Sequence, residues 1–565
     1  MTGMPTGHRI RRVAGALAAA VLAAALTACA GLPVSGPVKL GRAAADAAED
    51  PAVFFNPEEP APGMTPQQVV DGFIAAATGP RNDWGVAQLF LTDAFAERWQ
   101  PTAGVTVYAP DQRTMTEPAE GEVAVEILPE ASVDATGAYT VVDSGPATLT
   151  YRLEQVGGQW RIADAPDGIV LDRNRFASVF RSYSLMYFDP SWTYLVPDQR
   201  WFAVENAPTR ITEALVSGRP SAWLADSVVT AFSESAGLVG PSVPVRSQVA
   251  EVSLRTAARD LDQLTLDRMQ VQLERSLATA RVGGVQMLVD GQPLAATAAP
   301  VRSTRIESRS LVRSGDAFGF LSGTDVEPVP GLSPAVVSSA AVAAEVDADR
   351  VNAAVLTASG EVWRVRSDGA TQALDARDRL IPPTSDPSEF VYSVPASTPS
   401  AVFAFGPDGT RYEVAGAWPG ATRISAMRVS RDGTRVAALV VDGGRPTVMV
   451  AGIVRSPDGA PERFSDPLPL GTLPGDGIGM VWLDDATLAV LAGVGSQQIV
   501  IEQPVGGPST QTRAPEGATG IAGGNESGTV RILDSEGQLF GQRGAAWSLI
   551  ASDVAFVAVQ KGSPD

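Results

Sequence analysis

Histidine occurs once in this 565-residue chain, as His8; cysteine occurs once, as Cys29; and lysine occurs only as Lys39 and Lys561. One cysteine forbids an intrachain disulfide. No apolar run reaches the roughly 20 residues needed to cross a bilayer as a helix; the one near the N-terminus, Val13 to Leu26, has 14. Aromatic residues make up only 6% of the chain. The near absence of lysine beside abundant arginine and alanine is read as a GC-rich bacterial coding bias and says nothing about fold.

What is present at the N-terminus explains the placement of the scarce residues. His8, Arg9, Arg11 and Arg12 precede the short apolar run, and Leu26-Thr27-Ala28-Cys29 follows it. A basic start, a short hydrophobic core and small residues before a cut site describe an exported chain's signal peptide, residues 1–28. The Cys29 at that cut resembles the lipobox of bacterial lipoproteins, which implies lipidation of Cys29 and anchoring of the mature chain outside the membrane. Removal of residues 1–28 takes the histidine and three arginines, leaving 40 basic against 63 acidic residues. A surface with that excess of negative charge is repelled by nucleic acid and by anionic headgroups. Attachment then rests on the acyl chains, two or more of which suffice where one does not. With Cys29 consumed and no histidine left, Ser-His-Asp and Cys-His nucleophiles and ordinary zinc sites are excluded. Carboxylates, Tyr, Ser and Arg remain, so glycosidase-type chemistry is the enzymatic option still open. No cofactor or metal site is expected.

The pattern along the chain predicts a multidomain protein. Residues 29–63 read as an acidic, Pro-rich tether, closing on Pro57-Glu58-Glu59-Pro60-Ala61-Pro62-Gly63; such composition cannot support a core. Residues 64–172 read as an α+β domain. Thr65-Pro66 starts a helix with Val69, Val70, Phe73, Ile74 and Ala77 on one face, and a second helix is expected from Trp84 to Phe95, with Leu89, Phe90 and Phe95 inward. Strands follow around Val123-Val125-Ile127 and Leu149-Tyr151-Leu153, and Gly157-Gly158 turns into a last strand at Trp160-Ile162. This order resembles the nuclear transport factor 2-like fold. Residues 187–294 read as an α/β domain. A strand at Val249 to Leu254 precedes an amphipathic helix carrying Leu266, Met269, Leu273, Leu277 and Ala280, which Gly283-Gly284 stops before the strand and turn Val285 to Gly291. That order resembles the GerMN domain, a module regarded as binding or assembling.

Residues 310–559 show no long helix. Short apolar strands recur between Asp-Gly, Asp-Asp and Ser-Gly turns. The clearest pair sets Ile424 to Leu439 against Val481 to Leu491, 52 positions on, and Val351 to Val365, Val402 to Val414 and Thr529 to Phe540 are further copies. About 250 residues at ~40 to 50 per repeat predict an all-β propeller of five to six blades.

The whole order resembles the actinobacterial lipoprotein LpqB family, most strongly at Leu26 to Cys29, Tyr194 to Pro197, Val285 to Gly291 and the Ser430-Arg431-Asp432-Gly433 turn. The resemblance implies a non-catalytic accessory lipoprotein that contacts the extracellular domain of a sensor histidine kinase, in a two-component system tied to cell wall and division. It supplies no catalytic residues.

Several sharper readings compete with plainer ones. Asp432 and the pair Asp484-Asp485 are candidate carboxylates for glycoside cleavage, but Asp and Gly at such points usually make tight turns. Tyr183, Tyr187, Phe188, Trp192, Tyr194, Trp201 and Phe202 are a candidate sugar platform for cell-wall glycan; packing at the junction of the first two domains is the reading favoured. Asp347 and Asp349 lack the compact loop of six to eight oxygens that calcium wants. Gly283-Gly284 and Gly523-Gly524 lack the lysine of a phosphate loop and read as turns.

Overall fold

The computed structural model describes residues 57–526, 528–544 and 546–564. The expected signal peptide, the lipidation expected at Cys29 and most of the expected tether lie outside the described residues. The described residues form one compact unit.

Helix α1, Pro66–Ala76, begins on a reciprocal cap. Thr65 Oγ1 accepts from the Gln68 N–H at 3.3 Å and Gln68 Oε1 accepts from the Thr65 N–H at 2.9 Å, so two donors that the helix cannot satisfy are met. Its apolar face buries Val69, Val70, Phe73 and Ile74. The single helix expected from Trp84 to Phe95 is two: α2, Arg81–Gln88, and α3, Asp93–Ala96. Between them the backbone turns to the sheet. Ile162 N–H donates to the Phe90 carbonyl at 2.9 Å and Thr92 N–H to the Ile162 carbonyl at 2.9 Å. Edge pairing takes the groups a helix would need, and Leu89, expected inward, is 47% exposed.

Strands β1 (Gly104–Ala119), β2 (Glu122–Asp134), β3 (Tyr139–Val141), β4 (Ala147–Val156), β5 (Gln159–Asp164) and β6 (Ile169–Asp172) make one sheet of order β5-β4-β2-β1-β6, with β3 beside β2. Val123, Val125, Ile127, Tyr151, Leu153 and Ile162 face its core, as their alternation predicts. Gly157 and Gly158 turn β4 into β5 at φ 61° and 77°, a conformation glycine adopts without steric cost.

Helix α4, Arg173–Val179, runs directly into β7, Phe180–Phe188, which pairs antiparallel with β8, Leu195–Ala203. Helix α5, Ala207–Val216, leads to β9 (Val245–Arg246) and β10 (Val249–Leu254). Helix α6, Gln263–Ala278, then crosses to β11, Gly284–Val289, parallel to β10, and β12, Gln292–Pro293, closes the sheet β12-β11-β10-β9. Leu266, Met269, Leu273 and Leu277 are buried beneath it, and Ala280 packs against the same core half-buried.

Beyond residue 310 six sheets form a ring among the described residues. Their innermost strands are Val554–Val557, Ala341–Val346, Thr384–Ser385, Ala421–Val429, Asp476–Trp482 and Ala518–Ala522. Strand Val554–Val557, near the C-terminus, pairs with Leu311–Ser314, so a late strand closes the first blade. Val559–Gln560 then runs parallel to Ala341–Val346 in the second. The repeat read between Ile424–Leu439 and Val481–Leu491 is the inner-to-second strand hairpin of consecutive blades.

Candidate functional site

The three modules meet around β8. Its Pro197-Asp198-Gln199-Arg200-Trp201 stretch puts polar groups into an apolar strand, where the Pro197 carbonyl, Arg200 and Trp201 each meet another module. Asp198 and Arg200 are 1% and 2% exposed. Arg200 Nη2 donates to Asp198 Oδ2 at 2.8 Å, and Arg200 Nη1 donates to Thr136 Oγ1 at 2.6 Å. Asp198 also accepts from Ser221 Oγ at 2.7 Å and Ser221 N–H at 2.8 Å. A buried ion pair is tolerable only when its remaining lone pairs and protons are met, and this one is met by groups from two modules. The Trp201 indole reaches the third, donating to the Gly506 carbonyl at 2.8 Å. Gly137, at φ 86°, lies where an added Cβ would stand 2.8 Å from the Phe202 ring.

The propeller joins the second module along one face of the ring. Arg463 pairs with Asp226 at 2.5 Å, Ser465 Oγ donates to the Trp223 carbonyl, and Gly452 packs so closely on Ser227 that a Cβ would come within 2.1 Å of its hydroxyl. Asn525 Oδ1 accepts from Ile306 N–H at 2.8 Å while its amide donates to the Ile306 carbonyl at 2.8 Å, which fastens the connecting segment to the ring.

A cleft of about 590 Å³ opens at this junction. Its walls are Asp134 to Thr140 of the first module, Asp198 to Arg200 and Arg219 to Asp226 of the second, and Arg463 to Leu468 with Val505-Gly506 of the propeller. Burial, aided by the charge of Glu130, pushes the Tyr139 phenol up to about 12, so it stays protonated and can donate. The propeller axis is filled by its own charges. Glu345 Oε1 accepts from Thr384 Oγ1 at 2.9 Å and Ser385 N–H at 2.6 Å, and Lys561 Nζ lies 3.4 Å away while donating to the Val429 carbonyl at 2.5 Å. Burial lowers the Lys561 amine, with Glu345 opposing.

The candidate carboxylates fall in turns. Asp432 Oδ1 accepts from Ser430 Oγ at 2.8 Å and Thr434 N–H at 2.9 Å, and its Oδ2 meets Arg435 at 2.5 Å. Burial alone would raise this carboxyl, but the Arg435 charge and hydrogen bonds outweigh it and hold it below the usual range. Asp484 accepts from Ala486 N–H at 2.8 Å, and burial raises Asp485. Asp347 accepts from Val351 N–H and from Asn352 N–H and amide, while Asp349 pairs with Arg302. Gly283 and Gly284 N–H both point at the Gln248 carbonyl, and the Gly524 carbonyl accepts from Arg431.

The aromatic run is packing. Tyr183, Tyr187, Phe188, Tyr194 and Phe202 are at most 5% exposed. Trp192 is covered by the Arg268 guanidinium 4.0 Å from its ring centroid, and Trp201 lies against Phe176 at 4.9 Å and Tyr139 at 5.7 Å. The buried Asp198–Arg200 node was not read from the sequence; its signal is the Asp-Gln-Arg interruption of an otherwise apolar strand.

Three family models match in chain order: the lipoprotein LpqB N-terminal domain at residues 59–177, a domain described as sporulation and spore germination at 184–295, and the lipoprotein LpqB beta-propeller domain at 310–556. They define a three-module chain whose C-terminal half is a β-propeller. The chain belongs to the lipoprotein LpqB family. It is 28% identical over 500 residues to lipoprotein LpqB of Rhodococcus opacus (strain B4), covering 81% of each chain. It is 27% identical over 600 residues to that of Bifidobacterium longum (strain NCC 2705), covering 97% of this chain and 99% of that one. Among solved structures, TolB from Acinetobacter baumannii superposes with a TM-score of 0.28 at 11% identity, covering 44% of this chain and 66% of that chain.

Proposed function

We propose that this protein is a lipid-anchored accessory lipoprotein on the extracytoplasmic face of the cell membrane, held through Cys29. It acts without catalysis, by presenting a fixed arrangement of three modules to a membrane partner. Following the family resemblance, that partner is the extracellular domain of a sensor histidine kinase in a two-component system of wall and division.

The observation that carries this reading is the junction. The Asp198–Arg200 node is buried, satisfied by hydrogen bonds and shared between modules, which supports a scaffold whose surfaces keep their relative positions. Two competing readings lose support. A glycan platform needs exposed aromatic faces, and five of the seven rings are at most 5% exposed. A carboxylate hydrolase needs two acids facing one cleft, and Asp432 is instead spent on its own turn.

The test is crosslinking of the lipidated protein in its own membrane, with Cys29→Ala alongside, and mass spectrometry of the adducts. A sensor kinase recovered with the lipidated chain and lost with Cys29→Ala is the expected result. Recovery of wall glycan without any membrane protein would sink the proposal.

A further inference from the structure

The junction cleft offers main chain as well as side chains. In the β7–β8 pair, the Trp201 N–H donates away from β7, to the Gly137 carbonyl at 2.8 Å. The Pro197 carbonyl also points away and accepts from Arg435 at 3.5 Å. Main-chain groups of alternate strand residues leave by the same edge, so the N–H and C=O of Gln199, between these two, share that edge. Among the described residues strand β8 pairs with β7 alone, and the Gln199 amide side chain is turned back onto Ser182 and Ser184. The same parity holds in β3. Asp134 N–H donates to the Ala138 carbonyl and Val142 N–H to the Glu130 carbonyl, so Tyr139 and Val141 turn their main chain away from β2. Tyr139 and Gln199 both line the cleft.

The charges around it are nearly all engaged. Arg200 holds Asp198, Arg463 holds Asp226, and Asp134 Oδ1 accepts from Thr136 N–H, Thr136 Oγ1 and Ala138 N–H. Arg219 and Asp466 remain, exposed, on walls from different modules. A volume of about 590 Å³ lies within the ~300 to 1,000 Å³ range of ligand clefts.

We propose that this cleft binds an extended polypeptide segment of a partner protein, which pairs its backbone with the outward-facing edges at Gln199 and Tyr139 and sets an acidic side chain against Arg219 and a basic one against Asp466. Main-chain pairing supplies a register and the two charges supply the choice of segment, the division of labour seen wherever a peptide adds to a sheet edge. Because the walls come from three modules, the segment would bind only when the junction is assembled. This inference rests on the accessory-protein reading and locates its contact.

The test places p-benzoylphenylalanine at Ala222, which is exposed on the cleft wall, or at Leu264 or Val342, which are 52% and 49% exposed elsewhere. The lipidated full chain is irradiated in its own membrane and the adducts are sequenced. The expected result is an Ala222-position adduct to a protein segment without helix-breaking turns that carries an acidic and a basic residue, reduced at least tenfold by Arg219→Glu and by Asp466→Arg but kept by Arg219→Lys, with melting curves unchanged. Adducts at Leu264 or Val342 alone would overturn the cleft and leave the accessory reading standing. No protein adduct at any position would overturn both. An Ala222-position adduct indifferent to both charge reversals, or one to lipid or glycan, would also overturn the inference.

Discussion

Strand Arg435–Asp442 ends in two turns of similar composition and opposite fate. At one end Ser430-Arg431-Asp432-Gly433-Thr434 is buried, with Arg431 and Asp432 5% and 4% exposed. At the other, Asp442-Gly443-Gly444-Arg445 opens to solvent, its two glycines and Arg445 exposed. The first lies on the ring face that meets the second module, where Arg431 reaches the carbonyls of Trp482, Leu483 and Gly524 and Arg435 reaches that of Pro197. The second meets the first module through a surface pair, Arg445 with Asp143, whose side chains are both more than 60% exposed. A polar turn in a propeller is therefore either a loop or part of an interface, and its neighbours decide which.

Breaking the buried turn should cost most. Arg435→Ala leaves the Asp432 carboxylate buried without its cation, and we expect about 3 to 5 kcal/mol of destabilisation, read by chemical denaturation of the full chain. Gly452→Ala should come next. The added methyl collides with Ser227, and a cost of about 1 to 3 kcal/mol is expected for such overpacking; proteolysis between residues 295 and 310 should quicken if the ring loosens from the second module.

Acid should separate the two turns as well. Asp432 is held below its usual value in the folded chain, so its contribution to stability is complete above the ordinary carboxylate range, near 3.8. It disappears as the pH falls through the lower folded value. Asp432→Asn should flatten that part of the stability profile; an unchanged acid limb would show that Asp432 is not its source. The smallest effect is expected from Arg445→Ala, below about 1 kcal/mol and fading with added salt, measured by thermal unfolding at two ionic strengths.

Much of the fold was legible because its signals are local. Helix α6 shows its buried residues at helical spacing, and β10 and β11 stand where the alternation puts them. The hairpin repeat 52 positions apart is recovered as equivalent strands of neighbouring blades. The break at Leu89 to Thr92 was not legible, since Ile162, about 70 residues on, supplies its hydrogen bonds. The candidate cleft was hidden for the same reason: Tyr139, Gln199, Arg219 and Asp466 form no spacing that a sequence could display.

By itself the sequence determined the order of three modules and the scarcity of histidine and cysteine, one of each, and it supplies the motif on which lipidation of Cys29 is proposed, because each depends on composition or on residues within a few turns of one another. Only the tertiary structure decided that the aromatic run is a core, that Asp432 closes a turn, and that Asp198 and Arg200 meet Thr136 and Ser221 in a junction. Burial is a property of what packs against a residue, and partners separated by scores of residues enter the energy only once the chain has folded.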